Sequence, residues 1–142
     1  MADPAGAFDP ELLPHQGTAR LLTDVVRWSE GFIEAIGKIP AEHPLAHVDG
    51  APCFLGLELG AQAAAALEAL TRAASTGDHM TRTGFLVRVH EATFLISDLP
   101  LETPLRVMAQ LEGAAPPLAI YRVSGAVEGI EFLRARLSTY RS

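Results

Sequence analysis

Two hydrophobic periods divide this chain. Across residues 53–67 every side chain is apolar or absent except Glu58 and Gln62, whereas before and after that run apolar positions recur at every second residue. A helix apolar on all sides is a buried one, and alternation with a period of two marks half-buried strands. The run predicts a helix from residue 53 to 71 or 72, about 30 Å long at 1.5 Å per residue, with Pro52 in the favoured first turn. Gly56 and Gly60 lie one turn apart and would let another element approach the helix backbone closely.

Ahead of the helix, Leu22, Val26 and Trp28 suit one face of a strand, with Asp24 as the misfit. Ser29-Glu30-Gly31 turns the chain, and Ile33, Ala35, Gly37 and Ile39 then alternate with Glu34 and Lys38, which predicts a hairpin. Residues 1–8 are expected to form a loose leader, and Asp9-Pro10-Glu11 predicts one helical turn through Leu13, ended by Pro14. Residues 40–51 hold two prolines, a glycine and two of the five histidines, have no period, and predict a loop.

Residues 74–82 read as a polar connection, after which the period is two throughout. The apolar rows are Phe85, Val87 and Val89; residues 94–96; Leu105, Val107, Ala109 and Leu111; Ala119, Tyr121, Val123 and Val127; and Leu133, Ala135 and Leu137. Residues 98–104 and 113–117 read as turns or loops, and Glu128-Gly129 as a tight turn. Strands in series without intervening helices pair antiparallel, so the class is α+β. The central helix then needs a sheet curved around it, or a sheet on one side and a second subunit on the other.

Composition narrows the function more than the fold. The 142 residues, 49% apolar and 20% charged, describe one compact domain. A net charge of −6 gives no general attraction to nucleic acid or anionic membrane. The single cysteine excludes an internal disulfide and the common multi-cysteine zinc sites, which fits a reducing cytoplasm. The N-terminus carries acids and prolines where a signal peptide needs basic and then apolar residues. Glu58, Gln62 and Glu68 argue against a membrane span in the long apolar run.

The candidate chemistry centres on Glu58. At helical pitch it shares a face with Gln62, Phe54, Ala61 and Ala65, and no Lys or Arg lies within one turn. A carboxyl so placed finds a partner elsewhere, stays protonated, or is poised for chemistry. Upstream, His43 and His47 occupy the loop; by itself His43 reads more readily as an exposed loop residue than as a proton-transfer group, and His47 is the reserve candidate. Gln62 reads as a positioning group or a satisfied core amide, and Cys53 as a thiolate nucleophile or a small buried residue. His15, His79 and His90 show no metal-ligand spacing, while Arg134, Arg136 and Arg141 form either a face for an acidic partner or a solvated surface.

Leu12-Leu13-Pro14-His15, then Arg20-Leu21-Leu22 with Asp24 and Val25, open the chain; Pro52, Glu58, Ala61 and Gln62 mark the helix; Gly84-Phe85-Leu86 and Glu91-Ala92-Thr93-Phe94 follow it. Together, over residues 11–140, they resemble the 3-hydroxyacyl-[acyl-carrier-protein] dehydratases. Gly56-Leu57-Glu58 is most similar to the divergent branch associated with aryl polyene biosynthesis. The resemblance implies a single hotdog domain over residues 1–142, a curved antiparallel sheet wrapped around one long helix. It also implies dehydration of 3-hydroxyacyl thioesters on acyl carrier protein to 2-enoyl thioesters, in fatty acid or polyene-type biosynthesis in the cytoplasm.

On that resemblance His43 and Glu58 are the catalytic base and acid, meeting across a dimer interface, with His47 the reserve base. His43 lies one residue further from the glutamate than is usual in the family, and Pro44-Leu45 follows it in place of an aromatic-Pro-Gly run. His47, Gln62, Cys53 and Phe54 become substrate-positioning candidates, and the amides of residues 53–55 suit the thioester oxygen. No cofactor or metal is expected, because phosphopantetheine on the carrier protein delivers the substrate. The expected partners are acyl carrier protein and a second hotdog subunit, either another copy or a paralogue. Two other readings remain: a hotdog acyl thioesterase whose helix carboxylate activates water, and a non-catalytic subunit that supports an active dehydratase.

Overall fold

The computed structural model describes residues 3–4, 17–77 and 84–141. The expected helical turn through Leu13, most of the expected leader, His15 and His79 lie outside the described residues. A two-residue strand β1 (Asp3–Pro4) is followed by the hairpin of β2 (Leu22–Ser29) and β3 (Phe32–Gly37), and a second two-residue strand β4 (Ala51–Pro52) leads to helix α1 (Leu55–Thr76). Then come β5 (Gly84–Phe94), the short β6 (Asp98–Leu99), β7 (Leu105–Ala115), β8 (Leu118–Val127) and β9 (Ile130–Arg141). Seven strands form one antiparallel sheet in the order β1-β2-β3-β7-β8-β9-β5, while β4 pairs with β6 alone.

The hairpin closes through Gly31, whose φ of 76° suits a residue without a Cβ. Asp24, the misfit of the alternating pattern, sits at a register shift between Leu22 and Asp24, and its Oδ1 accepts from Val25 N–H at 2.8 Å. The helix runs four or five residues past the expected end. Thr76 and Ser75 donate their hydroxyls to Arg72 O at 2.8 and 3.4 Å, so these polar residues close on the helix itself. Gly77, at φ 75°, then stops it as Gly77 N–H returns to Ala73 O.

The row expected at residues 85–89 continues to Phe94 in one strand, β5, in which register shifts after Leu86 and Val89 break the alternation, whereas Leu95 and Ile96, expected in a second run with Phe94, lie in a bend beyond it. The expected loop at 113–117 is mostly strand for the same reason: a shift between Leu111 and Gly113 changes the parity of β7. Residues 98–99, read as part of a turn, form the partner of β4.

The sheet curves around α1, which is the hotdog arrangement. Leu59, Ala63, Ala66 and Leu67 pack with Ile33, Ala35, Val107, Val123, Leu133 and Leu137 in one buried core. Each large aliphatic side chain so buried contributes about 1.5–3 kcal/mol relative to exposure. The helix glycines decide how close the layers come. A Cβ on Gly60 would lie 2.6 Å from Val123 Cγ1, and one on Gly56 2.7 Å from the Phe132 ring.

The helix is not enclosed on every side. Leu57, Glu58, Ala65, Glu68, Thr71 and Arg72 are only half-buried. Among the described residues β5 pairs with β9 on one side only, and Val87, Val89, Phe94 and Leu95 at that end of the sheet are exposed. No described helix is long and apolar enough to cross a membrane.

Candidate active site

The half-buried stripe of α1 and the loop before it hold the candidate chemistry. Three anchors fix that loop. Ala41 N–H donates to Glu102 Oε2 at 2.9 Å, and Glu102 N–H returns to Ile39 O at 2.9 Å. The β4–β6 pair follows, where Gly50 comes so close that a Cβ would lie 2.3 Å from Leu99 O. Between them His47 Nε2 lies 3.1 Å from Asp98 Oδ1, while His47 Nδ1 accepts Asp49 N–H at 3.2 Å. Ser97 Oγ donates to Asp98 Oδ2 at 3.2 Å, so both carboxylate oxygens of Asp98 are used.

His43 sits at a turn within this loop. Its N–H donates to Pro40 O at 3.0 Å, and its carbonyl accepts from Ala46 N–H at 2.9 Å. Its Nδ1 accepts from Leu45 N–H at 3.0 Å.

At the start of α1 the backbone donors divide. Cys53 N–H is committed to Ser97 O at 3.1 Å, and Gly56 and Leu57 N–H close back on Cys53 O and Phe54 O. The N-cap residue Phe54 makes no side-chain cap. Among the described residues no backbone acceptor meets the Phe54 and Leu55 N–H groups, so of the three amides expected to face an anion only these two are available. The Phe54 ring beside them is 50% exposed.

Glu58 occupies the first turn of α1 and is half-buried. Among the described residues its carboxylate has no hydrogen-bond or ion-pair partner. Among the described residues no hydrogen bond or ion pair ties it elsewhere, and none joins it to His43 or His47.

Gln62, one turn further on, is fully buried and points into the fold. Its Oε1 accepts from Leu21 and Leu22 N–H at 2.8 and 3.0 Å, and its Nε2 donates to Ala19 O at 2.6 Å. Cys53 is buried and donates Sγ–H to Phe132 O at 3.6 Å. Burial pushes this thiol up from its ordinary range, against a backbone hydrogen bond at Ile96 that lowers it and with a smaller upward push from the Asp98 charge, which disfavours a thiolate.

Arg134 pairs with Glu131, and Arg136 and Arg122 both pair with Glu112, so these arginines are engaged with acids of the sheet's outer surface. Among the described residues no group of three or more His, Cys, Asp or Glu side chains could hold a metal ion. Asp98 and Ser97 were not singled out in the sequence. No short-range signal links residue 98 to residue 47, because strand pairing alone brings them together.

The fold and this loop–helix arrangement define a hotdog protein. The ApeP-like family, described as ApeP dehydratase, matches residues 10–142, and the chain belongs to that family. Among solved structures it is similar to the dehydratase heterocomplex ApeI:P from Xenorhabdus doucetiae, with a TM-score of 0.83 and 18% identity over 93% of this chain and 89% of that one. A hypothetical thioesterase with coenzyme A from Streptococcus pneumoniae gives a TM-score of 0.57 and 12% identity over 83% of this chain and 84% of that one. The PaaI protein of E. coli, from the phenylacetic acid degradation operon, gives 0.58 and 13% over 84% and 78%. No curated protein matches the sequence.

Proposed function

We propose that this protein dehydrates 3-hydroxyacyl thioesters, delivered on the phosphopantetheine arm of acyl carrier protein, to 2-enoyl thioesters in polyene-type biosynthesis in the cytoplasm. The observation that carries the proposal is Glu58: a half-buried carboxylate with no partner among the described residues, in the first helical turn beside two uncommitted amides. The reaction breaks the bond from C2 to hydrogen and the bond from C3 to oxygen, moves the proton to the departing hydroxyl, and releases water. It needs a group to carry that proton and donors for the charge that develops on the thioester oxygen. Phe54 and Leu55 N–H suit the second task; His43 and Glu58 suit the first.

A second hotdog subunit completes the site in this reading. The open stripe of α1 and the exposed edge of β5 support it, as does the similarity to a dehydratase made of two different chains. The same similarity supports a second reading, in which this chain is the subunit that stabilises an active dehydratase without turning over itself.

Incubating the protein with 3-hydroxyacyl- and enoyl-carrier protein, and following water loss or addition together with thiol release, separates these readings from a thioesterase. Dehydration and hydration without thiol release are expected. Thiol release alone would overturn the proposal in favour of a thioesterase, and inertness in both assays would favour the supporting subunit.

A further inference from the structure

The inner face of β9 carries Leu133, Ala135, Leu137 and Thr139, every second residue of the strand. The first three belong to the apolar core. Thr139 shares their face, paired with Ala119 of β8 on one side and Leu86 of β5 on the other. It is only 7% exposed, and among the described residues its Oγ1 meets no hydrogen-bond partner. Valine would fill the same volume without burying an unsatisfied hydroxyl, so this group calls for an occupant that the free fold does not supply.

The neighbourhood of Thr139 leads back to Glu58. Glu58, Ala61, Ala65 and Glu68 follow three or four residues apart and form one stripe along α1. At the start of that stripe Gly56 lies against Leu133, where an added Cβ would sit 3.1 Å from Leu133 Cδ2. At its far end Tyr121 OH donates to Glu68 Oε1 at 3.0 Å, and Tyr121 pairs with Leu137, two residues short of Thr139. The helix stripe and the inner row of β9 therefore run side by side, and from Leu133 to Thr139 the strand rises about 20 Å.

The side chains along this path are small. Ala61 and Ala65 stand on the helix, and Ala135 pairs with Ala92 across β9 and β5. Ala65, Ala92 and Leu86 pack on the core yet are only partly buried, so the furrow opens toward β5. That is the side on which the proposed second subunit would cover it.

We propose that this furrow takes the acyl chain of the substrate and that Thr139 Oγ1 hydrogen-bonds a hydroxyl at the chain's far end. The inference rests on the dehydratase reading, which puts the reacting carbons beside Glu58 and sends the rest of the chain along the small residues. It names a substrate class, long-chain 3-hydroxyacyl thioesters that carry a second hydroxyl at the distal end. A threonine hydroxyl both donates and accepts, so it satisfies an alcohol in either sense. A methyl-ended chain of the same length leaves the Thr139 hydroxyl unpaired, and a buried polar group left unpaired is what rejects the wrong ligand.

The test is calorimetric titration of the whole protein with two non-hydrolysable acyl-pantetheine analogues. They are equal in length and long enough to reach Thr139; one ends in a methyl group, the other in a hydroxyl. The hydroxyl-ended analogue should bind about threefold to tenfold more tightly, as one added hydrogen bond allows. Thr139→Ser should keep that preference and Thr139→Val should abolish or reverse it. Equal affinities in the parent, binding of neither analogue, or a preference that survives in Thr139→Val overturns the proposal. Ala65→Leu, which narrows the furrow midway, should weaken both analogues; unchanged affinities overturn the path. If the binding pattern holds but the carrier-protein assay shows no dehydration, the dehydratase reading falls alone and the distal hydroxyl site stands.

Discussion

The His47 imidazole and the Asp98 carboxylate, 51 residues apart, meet at 3.1 Å and tie the loop before α1 to strand β6. Both groups are partly exposed, so the pair contributes about 1 kcal/mol or less to stability. Its consequence is positional. His47→Ala is expected to change the unfolding free energy by no more than that and to lower kcat far less than His43→Ala does. Equal kcat losses in the two variants, in the carrier-protein assay, would refute the assignment of His47 as a latch.

Gln62 binds the chain segment that leads into β2. Removing its amide leaves Leu21 N–H, Leu22 N–H and Ala19 O without the bonds they make now, and Leu21 and Leu22 are buried. A buried group left unsatisfied costs about 1–3 kcal/mol. Gln62→Leu should therefore lower the urea unfolding free energy by at least about 2 kcal/mol. A variant as stable as the parent would show that the amide is dispensable to the fold and return it to the list of substrate-positioning candidates.

Gly60 tests the spacing of helix and sheet. In an open helix Gly→Ala would stabilise by about 1 kcal/mol, but here the added methyl would lie 2.6 Å from Val123 Cγ1. Overpacking of that kind costs about 1–3 kcal/mol. Gly60→Ala is expected to destabilise the protein, and Val123→Ala in the same chain to recover part of the loss. Thermal unfolding of the two single variants and the double variant measures this coupling.

Glu34 lies on β3 between Arg27 and Arg106 and bonds to both. Burial pushes its carboxyl pKa up, the two guanidiniums outweigh burial, and the net position is below the ordinary carboxylate range. A carboxyl with a lowered folded pKa contributes stability that is present above its unfolded pKa, about 4.3. That contribution is lost as pH falls through the folded value. The stability difference between the parent and Glu34→Gln should be constant above about pH 5 and shrink below it. A difference independent of pH down to acid unfolding would exclude this role.

The exposed edge of β5 should be the seam of the proposed dimer. Val89 is 38% exposed there, so Val89→Lys is expected to leave the monomer fold intact while placing a charge on the edge, a common block to strand pairing. Sedimentation should show a shift from dimer to monomer with unchanged far-ultraviolet circular dichroism. A variant that remains dimeric would move the interface elsewhere.

The period-of-two rows and the apolar run from residue 53 determined the class, the order of the main elements and the burial of α1, because side-chain periodicity is local and each element repeats it many times. Glu58 was legible for the same reason: one carboxylate among alanines and leucines stands out on a helical wheel. Element ends were less legible. Register shifts in β5 and β7 add or drop a residue from the alternation, and the back-bonding of Ser75 and Thr76 lets polar residues continue a helix.

Only the tertiary structure decided what each candidate side chain faces. Gln62 shares a helical face with Glu58 in sequence, yet its amide turns inward to Ala19, Leu21 and Leu22. Two histidines four residues apart look equivalent as letters. They part because β4 pairs with β6 and brings Asp98 to His47, while Leu45 N–H reaches His43 Nδ1. A hydrogen bond depends on angles and distances set by strands far apart in the chain, and no periodicity encodes them.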